Sequence, residues 1–185
     1  MSKKAVIFPG IGYHADRPLL YFAAKLAVAA GYEIIKIDYP HCAVDLLKAD
    51  KEVLKEFSVS CLKTAVSVLK EKEINADDEL LFISKSIGTA VAAACARSFD
   101  TKIGHIYFTP LEDTFDFVSP GSGMAFNGTN DSWADHKKVA GLCKAKDIPL
   151  TTIEGANHSL ETGEVITDIG NLQKIMEQVA AYIKK

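Results

Sequence analysis

The sequence predicts an α/β protein: a three-layer α/β/α sandwich around a six-stranded parallel sheet. Two observations lead to this class. Strand-like and helix-like segments alternate from one end of the chain to the other, which is the pattern of parallel strands joined by crossover helices. The strand candidates are short apolar runs, as expected of strands covered on both faces. A length of 185 residues with 48% hydrophobic side chains suits one compact domain spanning 1–185, and there is neither an internal repeat nor a low-complexity linker.

Residues 4–8 (KAVIF) form the first strand candidate and end in Pro-Gly. Residues 17–30 carry apolar positions at helical spacing, with Asp16 as the expected N-cap, Pro18 in the first turn and Gly31 as the stop. Residues 33–37 (EIIKI) are the second strand, and 51–72 a long amphipathic helix. Residues 79–83 (ELLFI) lead into Ser84-Lys85-Ser86-Ile87-Gly88 and an alanine-rich helix over 87–97. Residues 102–108 are the fourth strand, stopped by Thr109-Pro110. The stretch 109–121 is the longest loop. Residues 122–127 form a weaker strand, 133–146 a helix and 149–153 the last strand. The closing helix lies within 165–184, Gly170 leaving its start open.

The bulk properties narrow the function classes. A net charge of −3 gives no basic footprint for nucleic acid and no polybasic segment for a membrane surface. The apolar run after Met1-Ser2-Lys3-Lys4 is too short for a secretory signal, and no window approaches the roughly 18 apolar residues of a spanning helix. Cys42, Cys61, Cys95 and Cys143 lack C-x-x-C spacing and read as reduced, buried thiols of a cytoplasmic protein. No metal-ligand cluster is visible. Pro9-Gly10-Ile11-Gly12 lacks the rest of a phosphate-binding loop, so no nucleotide or other cofactor is implied.

In a parallel sheet the chemistry gathers at the carboxyl ends of the strands. Those ends carry Pro9 to His14, Ser84 to Gly88, Gly128 to Asp131 and Glu154 to His158. One sheet edge therefore offers Ser86, Asp131 and His158 in that chain order, beside a glycine-rich turn. Taken singly, each has an ordinary reading: a polar turn, a turn aspartate, a surface histidine. Together they have the composition of a nucleophile, its orienting acid and its base. Asp113 and Asp116, after the fourth strand, compete for the acid role. His14 and His41 lie at strand ends. His105 and His136 read as structural.

The motif S-x-S-x-G between strand and helix resembles the G-x-S-x-G elbow of the α/β-hydrolase superfamily, Ser84 standing for the first glycine and Gly88 matching the second. "NGTNDSWAD" is similar to that family's acid loop and "EGANHSL" to its histidine loop. The resemblance covers nearly the whole chain without the first two strands of the full fold and without a lid, as in a minimal member of the dienelactone-hydrolase or small-esterase type. It implies a minimal α/β-hydrolase fold and a serine hydrolase that cleaves an ester or thioester of a small substrate through an acyl-enzyme. Ser86 would be the nucleophile, His158 the base and Asp131 the acid. It implies oxyanion donors at the N–H of Ile87 and of Ile11, with Pro9-Gly10 in place of the family's His-Gly. Gly10, Tyr13, His14, Lys85 and Trp133 are candidates for touching substrate. Tyr13, Phe108, Phe115 and Trp133 are open to two readings, pocket wall or core, and Lys85 to two others, solvent-facing or binding an acidic substrate group. The alternatives are a non-catalytic hydrolase-like protein and a flavodoxin-like binding module.

Overall fold

The computed structural model describes residues 2–41, 45–46, 48–72, 74–75 and 77–184, with the backbone alone for residue 51. Six strands, β1 (Lys3–Phe8), β2 (Glu33–Lys36), β3 (Glu79–Lys85), β4 (Ile103–Phe108), β5 (Gly123–Gly128) and β6 (Leu150–Ile153), form one sheet in the order β2-β1-β3-β4-β5-β6. Every pairing is parallel. Among the described residues, five α-helices cover it: α1 (Pro18–Ala29), α2 (Lys51–Glu71), α3 (Ile87–Ala96), α4 (His136–Ala145) and α5 (Val165–Ile183). None of the described helices is long and apolar enough to cross a membrane.

The strands are apolar on both sides because both sides are covered. Ala5, Ile7, Leu81, Ile83, Phe108 and Phe126 pack with α1 and α5. Val6, Phe8, Leu80 and Phe82 point the other way, to Cys61, Ala65 and Leu69 of α2 and Val91, Ala92 and Cys95 of α3. Tyr107 and Ala125 continue that layer with Val139 and Cys143 of α4. Phe108 and Phe115 are therefore core residues and not pocket walls. Cys61, Cys95 and Cys143 are buried, and Cys95 and Cys143 are unbridged among the described residues; Cys42 lies outside the described residues.

The strand order places the site. The chain runs from β1 outward to β2, then returns past β1 to β3, so the direction of winding reverses between β1 and β3. Beyond the carboxyl ends at such a reversal the two flanking connections part and leave a crevice. The turn after β1 and the turn after β3 meet there, and a Cβ on Gly10 would stand 3.0 Å from Ser86 Cβ.

Several local expectations need correction. The N-cap of α1 is Arg17, whose side chain caps nothing; Asp16 instead pairs with Lys36 at 2.8 Å, an ion pair with β2 that sequence spacing does not reveal. Trp133 is not in a helix: α4 begins at His136, where Asp135 accepts from the Lys138 N–H. Gly170 does not delay α5, whose N-cap is Glu164, its carboxylate accepting from the N–H groups of Ile166 and Thr167. The loop after β4 is not wholly irregular. Residues Glu112–Asp116 form a 3₁₀ helix packed on α3, with the Thr114 and Thr89 hydroxyls 2.7 Å apart.

Candidate active site

Ser86 sits between the last residue of β3 and the first of α3 with φ 56° and ψ −129°. A non-glycine residue rarely adopts this conformation, which costs of order 1–3 kcal/mol unless its surroundings enforce it. The enforcement is visible. The Ser86 N–H donates to Phe108 O at 3.0 Å, and Ser86 O accepts from both the N–H and the hydroxyl of Thr89 at 2.8 and 2.6 Å. Gly88 allows the turn to close against β1: a Cβ there would stand 2.3 Å from Pro9 O and 2.4 Å from Phe8 O. Those atoms are backbone and cannot swing aside. Gly88→Ala is expected to lower stability by about 1–3 kcal/mol, read as a drop in denaturation midpoint. Ser84 does not crowd the elbow. Its side chain is buried and donates to Ile106 O at 3.2 Å.

Strands β5 and β6 end in two loops tied to each other. Thr129 N–H donates to Ile153 O, Asn130 N–H to Ala156 O, and Gly155 N–H to the Thr129 hydroxyl. A Cβ on Gly128 would lie 2.1 Å from Ala156 O, so only glycine lets the loops approach this closely. Asn157 holds the second loop, its side-chain oxygen accepting from the N–H groups of Ser159 and Glu161. Gly128, Thr129 and Asn157 are positioning residues that the motifs did not single out. The glycine and the asparagine beside the acid and the histidine were the available signals.

These constraints bring Ser86, His158 and Asp131 into one chain of hydrogen bonds. Ser86 Oγ lies 2.8 Å from His158 Nε2, and His158 Nδ1 lies 2.8 Å from Asp131 Oδ2. Asp131 Oδ1 accepts from the N–H groups of Trp133 and Ala134 at 2.8 and 3.3 Å. The carboxylate is thus fixed by its own turn and presents its second oxygen to the imidazole. An ionised carboxylate only accepts, so Nδ1 carries the proton and Nε2 is left to accept from the Ser86 hydroxyl. Ser86 is 8% exposed and the His158 side chain 13%. Burial, with the Lys85 charge adding to it, holds the imidazole below its ordinary value of 6.5, against the opposing pull of Asp131.

The other candidates divide. Ile87 opens α3 and Ile11 follows Gly10. Neither N–H donates to an acceptor among the described residues, whereas the Gly10 N–H is taken by Tyr13 O at 3.0 Å. Tyr13 is buried, its phenol oxygen accepting from the Leu19 N–H. Trp133 is 44% exposed, with its ring 5.9 Å from that of His158. Lys85 does not face solvent: it is 2% exposed, with its ammonium 5.0 Å from the centre of the Tyr13 ring. His14 and His41 are exposed, and His14 engages the Asp16 N–H. Asp113 and Asp116 are exposed on the 3₁₀ helix. His105 is buried between Phe82 and Tyr107, and burial pushes its imidazole well down. Among the described residues, no three His, Cys, Asp or Glu side chains are grouped to hold a metal ion.

No protein-family model matches the chain, and no curated protein matches it by sequence. Solved structures do match. An α/β serine hydrolase homologue from Coxiella burnetii superposes with a TM-score of 0.68 over 97% of this chain and 84% of its own, at 15% identity. An α/β serine hydrolase without a lid, from Xanthomonas campestris, gives 0.66 over 95% and 81%, at 16% identity. A Butyrivibrio proteoclasticus protein solved with ferulic acid bound gives 0.64 over 97% and 90%, at 14% identity. The likeness spans nearly the whole length on both sides, and the chain has the fold of the lidless α/β serine hydrolases.

Proposed function

We propose that this protein is a serine hydrolase cleaving an ester or thioester of a small substrate through an acyl-enzyme. One observation carries the reading: the unbroken hydrogen-bond chain from Ser86 Oγ through His158 to Asp131, built on the strained turn between β3 and α3. A serine hydroxyl at neutral pH is a weak nucleophile and needs a base within hydrogen-bond reach. The first five strands share their order with flavodoxin-like sheets, so strand order alone does not separate the rivals. The positive φ of Ser86 supports the hydrolase reading over the flavodoxin-like one, because a serine that merely caps a helix has no need of that strain.

His158 Nε2 takes the Ser86 proton as Oγ bonds to the substrate carbonyl carbon, and the carbonyl π pair moves to its oxygen. The donors to the resulting anion are the N–H groups of Ile87 and Ile11, which donate to no acceptor among the described residues. Collapse restores the C=O bond and breaks the bond to the alkoxide or thiolate, which leaves with the proton from Nε2. Water then repeats the attack on acyl-Ser86. His158 receives the water's proton and returns one to Ser86 Oγ, and the carboxylic acid is released. Asp131 stays ionised throughout and holds the tautomer.

The test is turnover of short-chain para-nitrophenyl esters and acyl thioesters across pH. A base must be unprotonated to act, and His158 is held below 6.5. The expected kcat/KM is therefore flat near neutrality and falls only below that value as acid protonates the imidazole. An absence of turnover, or a rate indifferent to pH down to about 4, more than two units below a free histidine, overturns the reading.

A further inference from the structure

The mechanism above gives Lys85 no part, yet it adjoins the nucleophile. Its stem lies beside Ser86 beneath Gly10, where a Cβ would come within 3.0 Å of both Lys85 Cδ and Ser86 Cβ. Among the described residues no carboxylate reaches ion-pairing distance of its ammonium and no acceptor reaches hydrogen-bond distance. Asp131 and Glu161 act on it only from further away. The Tyr13 phenol oxygen is committed to the Leu19 N–H, so Tyr13 offers the ammonium only its ring face. A ring face compensates a buried cation in part. A buried charge without a counter-ion is strongly unfavourable, and an apolar side chain of the same length would fill the space at no such cost.

We propose that Lys85 makes the site selective for esters whose acyl part carries a carboxylate, which pairs with the Lys85 ammonium while the ester carbonyl lies at Ser86. The proposal rests on the serine-hydrolase reading. The Gly10–Tyr13 turn, closed by two backbone hydrogen bonds, covers Lys85, and the turn of residues 157–161 carries His158 and Glu161, whose charges act on it. Trp133, exposed beside His158, is left to the uncharged remainder of the substrate. Burial pulls the Lys85 ammonium down to about 8 against the opposing charges of Asp131 and Glu161. Of the other groups facing it, His158 is neutral at that pH, and burial pushes the Tyr13 phenol up to about 12. Preference for the anion is thus greatest between the titration range of a free carboxylate and that of Lys85, and fades as pH rises through the latter.

The test compares the mono-para-nitrophenyl ester of glutaric acid with its methyl-capped diester. The wild type is expected to prefer the free acid in kcat/KM by roughly ten-fold or more, mainly through KM, as for a charge-assisted pair shielded from water. In Lys85→Met, and in Lys85→Gln should the first fold poorly, that ratio should fall to about one or below. An unchanged ratio overturns the proposal. Binding of the half-ester to Ser86→Ala, with and without Lys85→Met, separates the two readings. A dissociation constant weakened about ten-fold or more by the lysine change supports the Lys85 site even if the wild type turns nothing over, in which case only the serine reading fails. Equal dissociation constants overturn the Lys85 site whatever the turnover.

Discussion

Ser86→Ala is expected to lower kcat by roughly 10⁴- to 10⁶-fold, the scale at which removal of a serine nucleophile is measured in other triads. The fold should survive. Alanine keeps the Cβ that the elbow already accommodates, and the bonds that hold the turn, from the Ser86 N–H to Phe108 O and from Thr89 to Ser86 O, are made by the backbone of residue 86. Among the described residues the hydroxyl itself bonds only to His158. Circular dichroism and the denaturation midpoint should therefore match the wild type within about 1 kcal/mol, the ordinary worth of one hydrogen bond. Ser84→Ala is the control. It loses one bond to Ile106 O inside the sheet and should keep most of the activity.

The second large effect is expected at Asp131. The two N–H groups of Trp133 and Ala134 point at Oδ1. In Asp131→Asn the amide oxygen must take that position, because an NH₂ there would face two donors. The NH₂ then faces His158 Nδ1, which can only accept from it, and the imidazole proton moves to Nε2. A protonated Nε2 cannot take the proton of Ser86. The geometry survives while the tautomer is wrong, and kcat should fall by roughly two to four orders of magnitude. Asp113→Asn and Asp116→Asn, on the exposed face of the 3₁₀ helix, should change kcat by less than about ten-fold. Steady-state kinetics on the three variants at equal fold content decides the matter.

The sequence carries the strand–helix alternation, the elbow and the order of Ser86, Asp131 and His158 because each is a local signal: an apolar run, a small residue at a tight turn, a loop after a strand. What it did not carry are features set by distant segments. Asp16 reads as a cap until Lys36 of β2 is seen beside it. Trp133 reads as helical because the turn that excludes it is fixed by Asp131, whose side chain accepts from two consecutive N–H groups. Gly128 reads as turn chemistry, although its purpose is the close approach of Ala156 across two loops. Lys85 is the sharpest case. A lysine at a strand end is normally solvated, and only the Gly10–Tyr13 turn folding over it removes it from water.

The central claim is that Ser86 is an activated nucleophile and not a passive turn residue. Reaction with a fluorophosphonate probe, followed by mass spectrometry of the digested protein, tests it most directly. One adduct is expected, on Ser86, formed rapidly by the wild type, slowed severely in His158→Ala and absent in Ser86→Ala. No adduct on the folded wild type, or an adduct on another serine that persists in Ser86→Ala, would contradict it.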